Sequence, residues 1–351
     1  MFSKNLKYYR LKNAMSKKEL AQQLHVSPMA ISNYESGKRK PDMELLKKMA
    51  KVLGVRVSDF LSVRNENLVF CHGDFRKKST LTVNQQEYIR ESVEEYINRF
   101  MTVVELLGGD VLPEAPSAGS LQLTNDCETD ATSLRRHLNL AVDGPIDNLI
   151  EILENKGIVV YVCDINNDKF SGMNGFVNGR PYIVINNNMS PERNRSTIVH
   201  ELSHLMFRWP NDMEDSSVEE LATAISDAFL FPKTDAIREL GVRRTVISKD
   251  MLLVAQEYGV SMLLLVKRAQ LLDIISKSVA KQFYITASSA GWRKSEPVRI
   301  EKEAPTLFQQ LVYRAVNENE ISMQRGAELL KIPYDIIASR CCFNEGNQWS
   351  M

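Results

Sequence analysis

Residues 196–207 read STIVHELSHLMF, with His200 and His204 four positions apart and Glu201 directly after the first histidine. On an α-helix, positions i and i+4 share one face and lie about 6 Å apart along the axis. Two imidazoles held that way can bind one zinc ion as neighbouring ligands. The glutamate between them projects to the same side, where it can take a proton from the water beside the metal. Ile198, Val199, Leu202, Leu205, Met206 and Phe207 make the surrounding helix apolar, and Pro210 stops it.

Upstream, the segments that lead into this helix alternate as strands do. Residues 157–162 (GIVVYV) form one β run, Phe170 to Phe176 a second, and Tyr182–Asn186 a third after the Gly179-Arg180-Pro181 turn. Ser190 is the expected N-cap of the histidine helix, with Pro191 at its first position. Helices within 129–155 should cover the sheet through Ile146, Leu149, Ile150 and Leu153. The strand Tyr182–Asn186 is read as an edge able to hold an extended substrate. His137 could assist an oxyanion, although its place in RRHLNL favours a surface or packing role.

A catalytic zinc takes three protein ligands and leaves one position open. No histidine follows His204, so the third ligand is sought among Asp212, Glu214, Asp215, Glu219, Glu220 and Asp227. The first three fall in a loop after Pro210. Glu219 is read as the start of a helix, VEELATAISDAFLFP, whose Ala222 and Ala224 permit close packing against the histidine helix.

RNRSTIVHELSHLMF followed by EELATAISDAFLFP resembles the paired helices of the ImmA/IrrE family of metallo-endopeptidases, over about residues 140–235. That resemblance implies a zincin-like fold, with zinc held by His200, His204 and Glu219 and with Glu201 as general base. Matching the closing Pro232 selects Glu219 over Glu220. Two positions depart from the family pattern: Ser203 stands where glycine is frequent and Thr223 where asparagine is usual. Neither would be a ligand, but both could alter the hydrogen bonds that orient ligands.

At the other end, Asn5 to Leu61 reads as five short amphipathic helices. Ser16 and Glu19 form a capping box, His25-Val26 a turn, and Ser27 caps a helix that opens with Pro28. Ser36-Gly37 end that helix, Lys38-Arg39-Lys40-Pro41 form a basic loop, and Leu45, Leu46, Met49 and Leu53 close the module. SKKELAQQLHVSPMAISNYESGKRKPDMELLKKMAKVLGV resembles the phage-repressor class of helix-turn-helix domains. The resemblance implies that Pro28, Met29, Ser32 and Asn33 face the major groove of an operator, with Asn33 reading a base through its amide. Ser27 opens the same helix and joins the candidate contacts. Lys17, Lys38, Arg39 and Lys40 would hold phosphates. Ile31 and Tyr34 are assigned to the core. Some such domains serve only in protein pairing, but the basic loop favours DNA.

Charge agrees with that division. The 351 residues carry 44 basic and 44 acidic side chains, yet residues 1–62 hold 13 basic against five acidic. A basic module on an acidic body suits nucleic-acid binding. No apolar run approaches a membrane span, and no signal peptide is evident. The five cysteines fit neither a disulfide framework nor a zinc knuckle, so they are read as reduced thiols of a cytoplasmic protein.

The expected organisation is mainly α, in four parts. Residues 1–62 form a five-helix repressor-like domain, and 63–120 a linker with a connecting helix over 83–107. Residues 121–235 form an α+β zincin-like domain, and 236–351 a helical region that closes the cleft or binds a partner. The connecting helix should pack on the catalytic domain or a second subunit. Residues 321–333 faintly echo a helix-turn-helix without a basic loop, and are read as a packing or recognition element. The expected function is a DNA-binding regulator whose zinc endopeptidase cleaves or releases a repressor protein and so derepresses a mobile-element or stress programme. A homodimer would match paired half-sites. The alternative is a transcription factor or antitoxin whose metal fold is a sensor or scaffold and cleaves nothing.

Overall fold

A computed structural model describes residues 2–62, 64–65, 67–73, 81–124, 126–292 and 295–341. Arg293 and Cys342 lie outside them, and the other four cysteines are free thiols. The chain is mainly α, with a small mixed sheet, and falls into two compact units.

The first unit lies within residues 1–70, 74–111 and 308–351. It opens with α1 (Phe2–Lys12), α2 (Lys17–Leu24), α3 (Pro28–Glu35), α4 (Met43–Leu53) and α5 (Val57–Leu61). The Ser16–Glu19 capping box is formed, and Ser27 accepts from the Ala30 N–H. His25 turns the chain in the left-handed region, at φ 56°. Leu6, Leu20, Ile31, Met49 and Phe60 are fully buried, each side chain contributing about 1.5–3 kcal/mol of apolar burial.

The long helix α6 (Val83–Leu106) packs on α1 in this same unit, with Tyr88 stacked on Tyr8 at 6.4 Å. The sequence suggested packing on the catalytic domain or a second subunit; the partner seen for this helix is α1. Its apolar face is covered from a second side by α15 (Leu307–Asn317), whose Phe308 meets Tyr96 at 5.4 Å and Phe100 at 5.6 Å.

Two short helices, α16 (Met323–Leu330) and α17 (Tyr334–Cys341), complete a repeat of α1–α3. Ser322 caps α16 as Ser16 caps α2, and Ala327 is buried in the place of Ala21. Lys331 turns at φ 55° and ψ 41°, where His25 has 56° and 41°. Ile337 is fully buried, like Ile31. The faint echo in the sequence is thus a second helix-turn-helix core, without a counterpart of Lys38-Arg39-Lys40. Its turn serves packing: Lys331 pairs with Glu95 at 2.8 Å and lies 4.9 Å over the Tyr8 ring.

The second unit comprises residues 71–73 and 112–307. The carboxy-terminal third is accordingly divided, with the described residues 308–341 in the first unit because α15 buries its aromatic face on α6. Strands β1 (Phe70–His72), β3 (Val159–Cys163), β4 (Gly172–Val177) and β5 (Arg180–Asn186) form a sheet in the order β1-β4-β5-β3. β5 runs antiparallel to β4 and parallel to β3. It is an interior strand, and the edge role expected for Tyr182–Asn186 is overturned because both its ladders are filled. The segment read wholly as a linker supplies the edge strand β1.

Helix α9 (Pro191–Met206) crosses β4 and β5, burying Ile198, Val199 and Leu202. It ends before Phe207, which leaves the helix and pairs as β6 (Phe207–Arg208) with β2 (Leu121–Gln122). Helix α10 (Asp215–Leu230) packs on α9 and on α7 (Cys127–His137), while α8 (Leu149–Asn155) lies on β3. α10 begins a turn earlier than Glu219, so Asp215 belongs to the helix rather than to the preceding loop. The helices α11 (Lys233–Leu240), α12 (Asp250–Tyr258), α13 (Met262–Leu271) and α14 (Lys277–Ser289) extend the same core. Two buried arginines anchor the end of α10: Arg135 donates to the Phe229 carbonyl at 2.8 Å and Arg268 to that of Phe231 at 3.0 Å. Cationic donors on terminal carbonyls satisfy groups that a helix leaves open.

Candidate metal centre and nucleic-acid interface

His200 and His204 stand one turn apart on α9, where the buried apolar stripe fixes the helix rotation and turns both rings toward α10. Their Nε2 atoms are 3.1 Å apart. The Glu219 carboxylate reaches over from α10, 3.4 Å from His200 Nε2 and 3.5 Å from His204 Nε2. Among the described residues these three form the cluster of potential metal-ligating side chains, with all donor atoms within 4.8 Å of one another. Ligand atoms about 2.0–2.1 Å from a tetrahedral zinc would lie roughly 3.3 Å apart, and two imidazoles with a carboxylate are the donor types of a catalytic zinc site. The residues fit the metal in both chemistry and spacing.

Of the other acidic candidates, Asp212, Glu214, Asp215 and Glu220 are exposed. Asp227 is buried farther along α10 and paired with Lys267 at 2.8 Å. Burial holds its carboxyl above the usual range, against the pull of Lys267. His137 bonds Ser120 at 3.3 Å, and its ring is outside the cluster.

Thr223 sits one turn after Glu219. Its hydroxyl donates to the Glu219 carbonyl at 2.8 Å, and its Oγ lies 3.3 Å from His200 Nδ1. With the hydroxyl proton already used, Oγ accepts from Nδ1–H, which assigns the tautomer with its lone pair on Nε2. The threonine found where asparagine was expected therefore still orients the histidine. Ser203, the other departure, is fully buried and donates to the Val199 carbonyl at 2.8 Å, turned into its own helix. The Trp209 ring flanks His204 at 5.4 Å.

Glu201 is buried beside them. Asn174 on β4 donates from Nδ2 to Glu201 Oε2 at 2.7 Å. A Cβ on Gly172 would fall 2.6 Å from Thr197 Cγ2, so glycine there lets β4 come close beneath α9. Neither Asn174 nor Gly172 stood out in the sequence; the signal was the glycine spacing in GMNGF, legible only once β4 was known to underlie α9.

The amino-terminal face is arranged differently. Pro28 and Met29 open α3 at the surface, Met29 with 68% of its area exposed, and Ser32 and Asn33 are half-buried one turn on. Ser27 is exposed and spends its side chain as the cap. Lys38, Arg39 and Lys40 are exposed, on a loop that returns to α3 through the Arg39 N–H and the Asn33 carbonyl at 3.2 Å. Lys17 lies 3.6 Å from Glu35 and 3.5 Å from Ser32. Ile31 and Tyr34 are core residues, as the sequence suggested. A buried pair that sequence reading missed, Arg10 with Glu35, clamps α1 to α3, its outer bond 3.1 Å.

Comparison with known proteins finds both modules. A helix-turn-helix family model matches residues 6–60, and the IrrE N-terminal-like domain model of a peptidase family matches residues 153–270. The second match runs past the paired helices to α13. The HTH-type transcriptional activator BcrR of Enterococcus faecalis is 41% identical over 61 residues, covering 17% of this chain and 30% of that protein. An uncharacterized HTH-type transcriptional regulator of Methanocaldococcus jannaschii is 41% identical over 54 residues, 15% of this chain and 82% of that one. No solved structure matches the chain. No helix among the described residues is long and apolar enough to cross a membrane. The chain belongs, through its amino-terminal domain, to the helix-turn-helix family of transcription regulators, with an IrrE N-terminal-like domain of the ImmA/IrrE metallopeptidase type fused behind it.

Proposed function

We propose that this chain is a cytoplasmic regulator that binds an operator through α3 and hydrolyses a partner repressor protein at the His200–His204–Glu219 centre. The observation that carries the reading is the convergence of two Nε2 atoms and one carboxylate at tetrahedral spacing beside a buried glutamate. His200, His204 and Glu219 would hold zinc, which supplies Lewis acidity to the scissile carbonyl and to the attacking water. Glu201 takes the proton of that water and delivers it to the leaving amine. Asn174 fixes one carboxylate oxygen of Glu201 and leaves the other for the proton. Thr223 holds the His200 ring. Loss of the repressor would derepress a mobile-element or stress programme, and a homodimer would read paired half-sites.

Glu201→Gln tests the chemistry. Target induction should be abolished while zinc content and operator binding are retained. Full induction by that variant would sink the peptidase reading and leave the centre as a sensor or scaffold in a transcription factor. That second reading stays in the test because the chain spans only 30% of the Enterococcus activator it resembles, over 61 residues.

A further inference from the structure

An extended polypeptide adds to a sheet only where a strand has an unfilled ladder. Around Glu201 the choice is narrow. β5 is paired on both sides, and β3 lies beyond it. The ladder nearest the glutamate is the outer edge of β4, the strand whose Asn174 touches Glu201. The chain itself fills that edge. The Gly73 N–H donates to the Asn174 carbonyl at 2.8 Å, and β1 takes the outermost place in the sheet.

The fit at this edge is close. A Cβ on Gly175 would lie 2.6 Å from the Cys71 carbonyl oxygen and 2.3 Å from the Tyr182 hydroxyl. A Cβ on Gly73 would lie 2.7 Å from the Asn174 carbonyl oxygen. His72 helps hold the strand, its Nδ1 2.6 Å from the Tyr182 hydroxyl. β1 is three residues long and Cys71 is exposed, and so short a strand adds little stability of its own. Asn174 takes both partners, the strand on its carbonyl and Glu201 on its side-chain amide.

We infer that residues 71–73 act as an internal competitor on the outer edge of β4, the ladder an extended substrate polypeptide would pair with beside Glu201. Substrate must displace them before its backbone can pair beside Glu201. In sequence the competitor lies between the helix-turn-helix domain and α6. The binding step stands apart from the peptidase reading, which governs only the hydrolysis of a chain already paired.

The test uses full-length protein and unstructured β-casein as the extended probe. In a Glu201→Gln background, Gly73→Ala places a methyl against the Asn174 carbonyl, and His72→Phe removes the Tyr182 bond. Each should tighten β-casein binding about three- to tenfold, the equivalent of one released hydrogen bond. Unchanged or weaker binding, with zinc content and melting transition intact, overturns the inference. If either variant fails to fold, hydrogen exchange on the Glu201→Gln protein decides: saturating β-casein should speed exchange of the Gly73 amide, and unaltered protection at saturation overturns the inference. Tighter binding without cleavage by the same edge variants carrying Glu201 would leave this site standing and remove the peptidase reading alone.

Discussion

Asn174 and Glu201 meet across the junction of β4 and α9, with the amide Nδ2 2.7 Å from the carboxylate Oε2. The contact exists because Gly172 lets the strand run close under the helix, two residues before the asparagine. A glutamate held by one oxygen keeps the other at a fixed angle to the histidines. Asn174→Ala should lower kcat/KM about 10- to 100-fold with zinc retained, and Asn174→Asp, which sets two carboxylates together, should cost more. Equal activity of wild type and Asn174→Asp in a peptide-cleavage assay would show that Glu201 does not depend on this bond.

Thr223 and Glu219 share one turn of α10, and the threonine connects the glutamate backbone to His200. Thr223→Val should weaken zinc affinity about 10- to 100-fold, while Thr223→Ser keeps it. Glu219→Gln should lose the metal, whereas Glu220→Gln, exposed on the outer face, should hold about one zinc per chain. Competition against a zinc chelator measures all four, and metal loss in Glu220→Gln would reassign the third ligand.

Asn33→Ala should reduce discrimination between operator and scrambled DNA by about 1–3 kcal/mol, because a side-chain amide reads a base edge. Replacing Lys38, Arg39 and Lys40 with alanine should weaken binding to all sequences alike. The slope of log affinity against log salt should flatten by about 0.9 for each phosphate no longer neutralised. Anisotropy titrations at several salt concentrations separate the two effects; a sequence-selective loss in the triple variant would contradict the phosphate assignment.

Lys331, the turn residue of the second helix-turn-helix core, is held by burial at a pKa of about 8, with Glu95 opposing the shift. Below pH 8 both folded and unfolded chains carry the proton, and the fold bears the cost of burying the charge. Between about pH 8 and the ordinary lysine value of 10.5 the folded chain releases its proton first, so stability rises with pH in that window. The side chain keeps 34% of its surface, which screens the effect to about 1 kcal/mol. Urea midpoints should therefore gain on those of Lys331→Met as pH rises from 7.5 to about 10; a constant difference would mean that Lys331 does not titrate in the fold.

Much of this protein is written in short-range signals. The Ser16–Glu19 box, the Ser27-Pro28 start and the four-residue spacing of His200 and His204 each act within one or two helical turns. Capping and periodicity are local physics, so the helices that carry the candidate residues could be read directly. The repeat in α15–α17 was half-legible for the same reason: Ser322 and Ala327 keep the pattern, but Gly326 replaces the leucine expected from Leu20.

What sequence alone determined, then, was the mainly α character, the helices with capping or metal-motif signals and the basic character of the amino-terminal module. Tertiary structure decided which strand is an edge, that residues 71–73 fill it, that Asn174 meets Glu201, and that α6 belongs with the DNA-binding unit. Strand order and close approach depend on segments far apart in the chain, such as Gly73 and Asn174, whose pairing leaves no periodic trace in either stretch. α6 was apolar enough for several partners, and only the packing of Tyr8 and Phe308 against it chose between them.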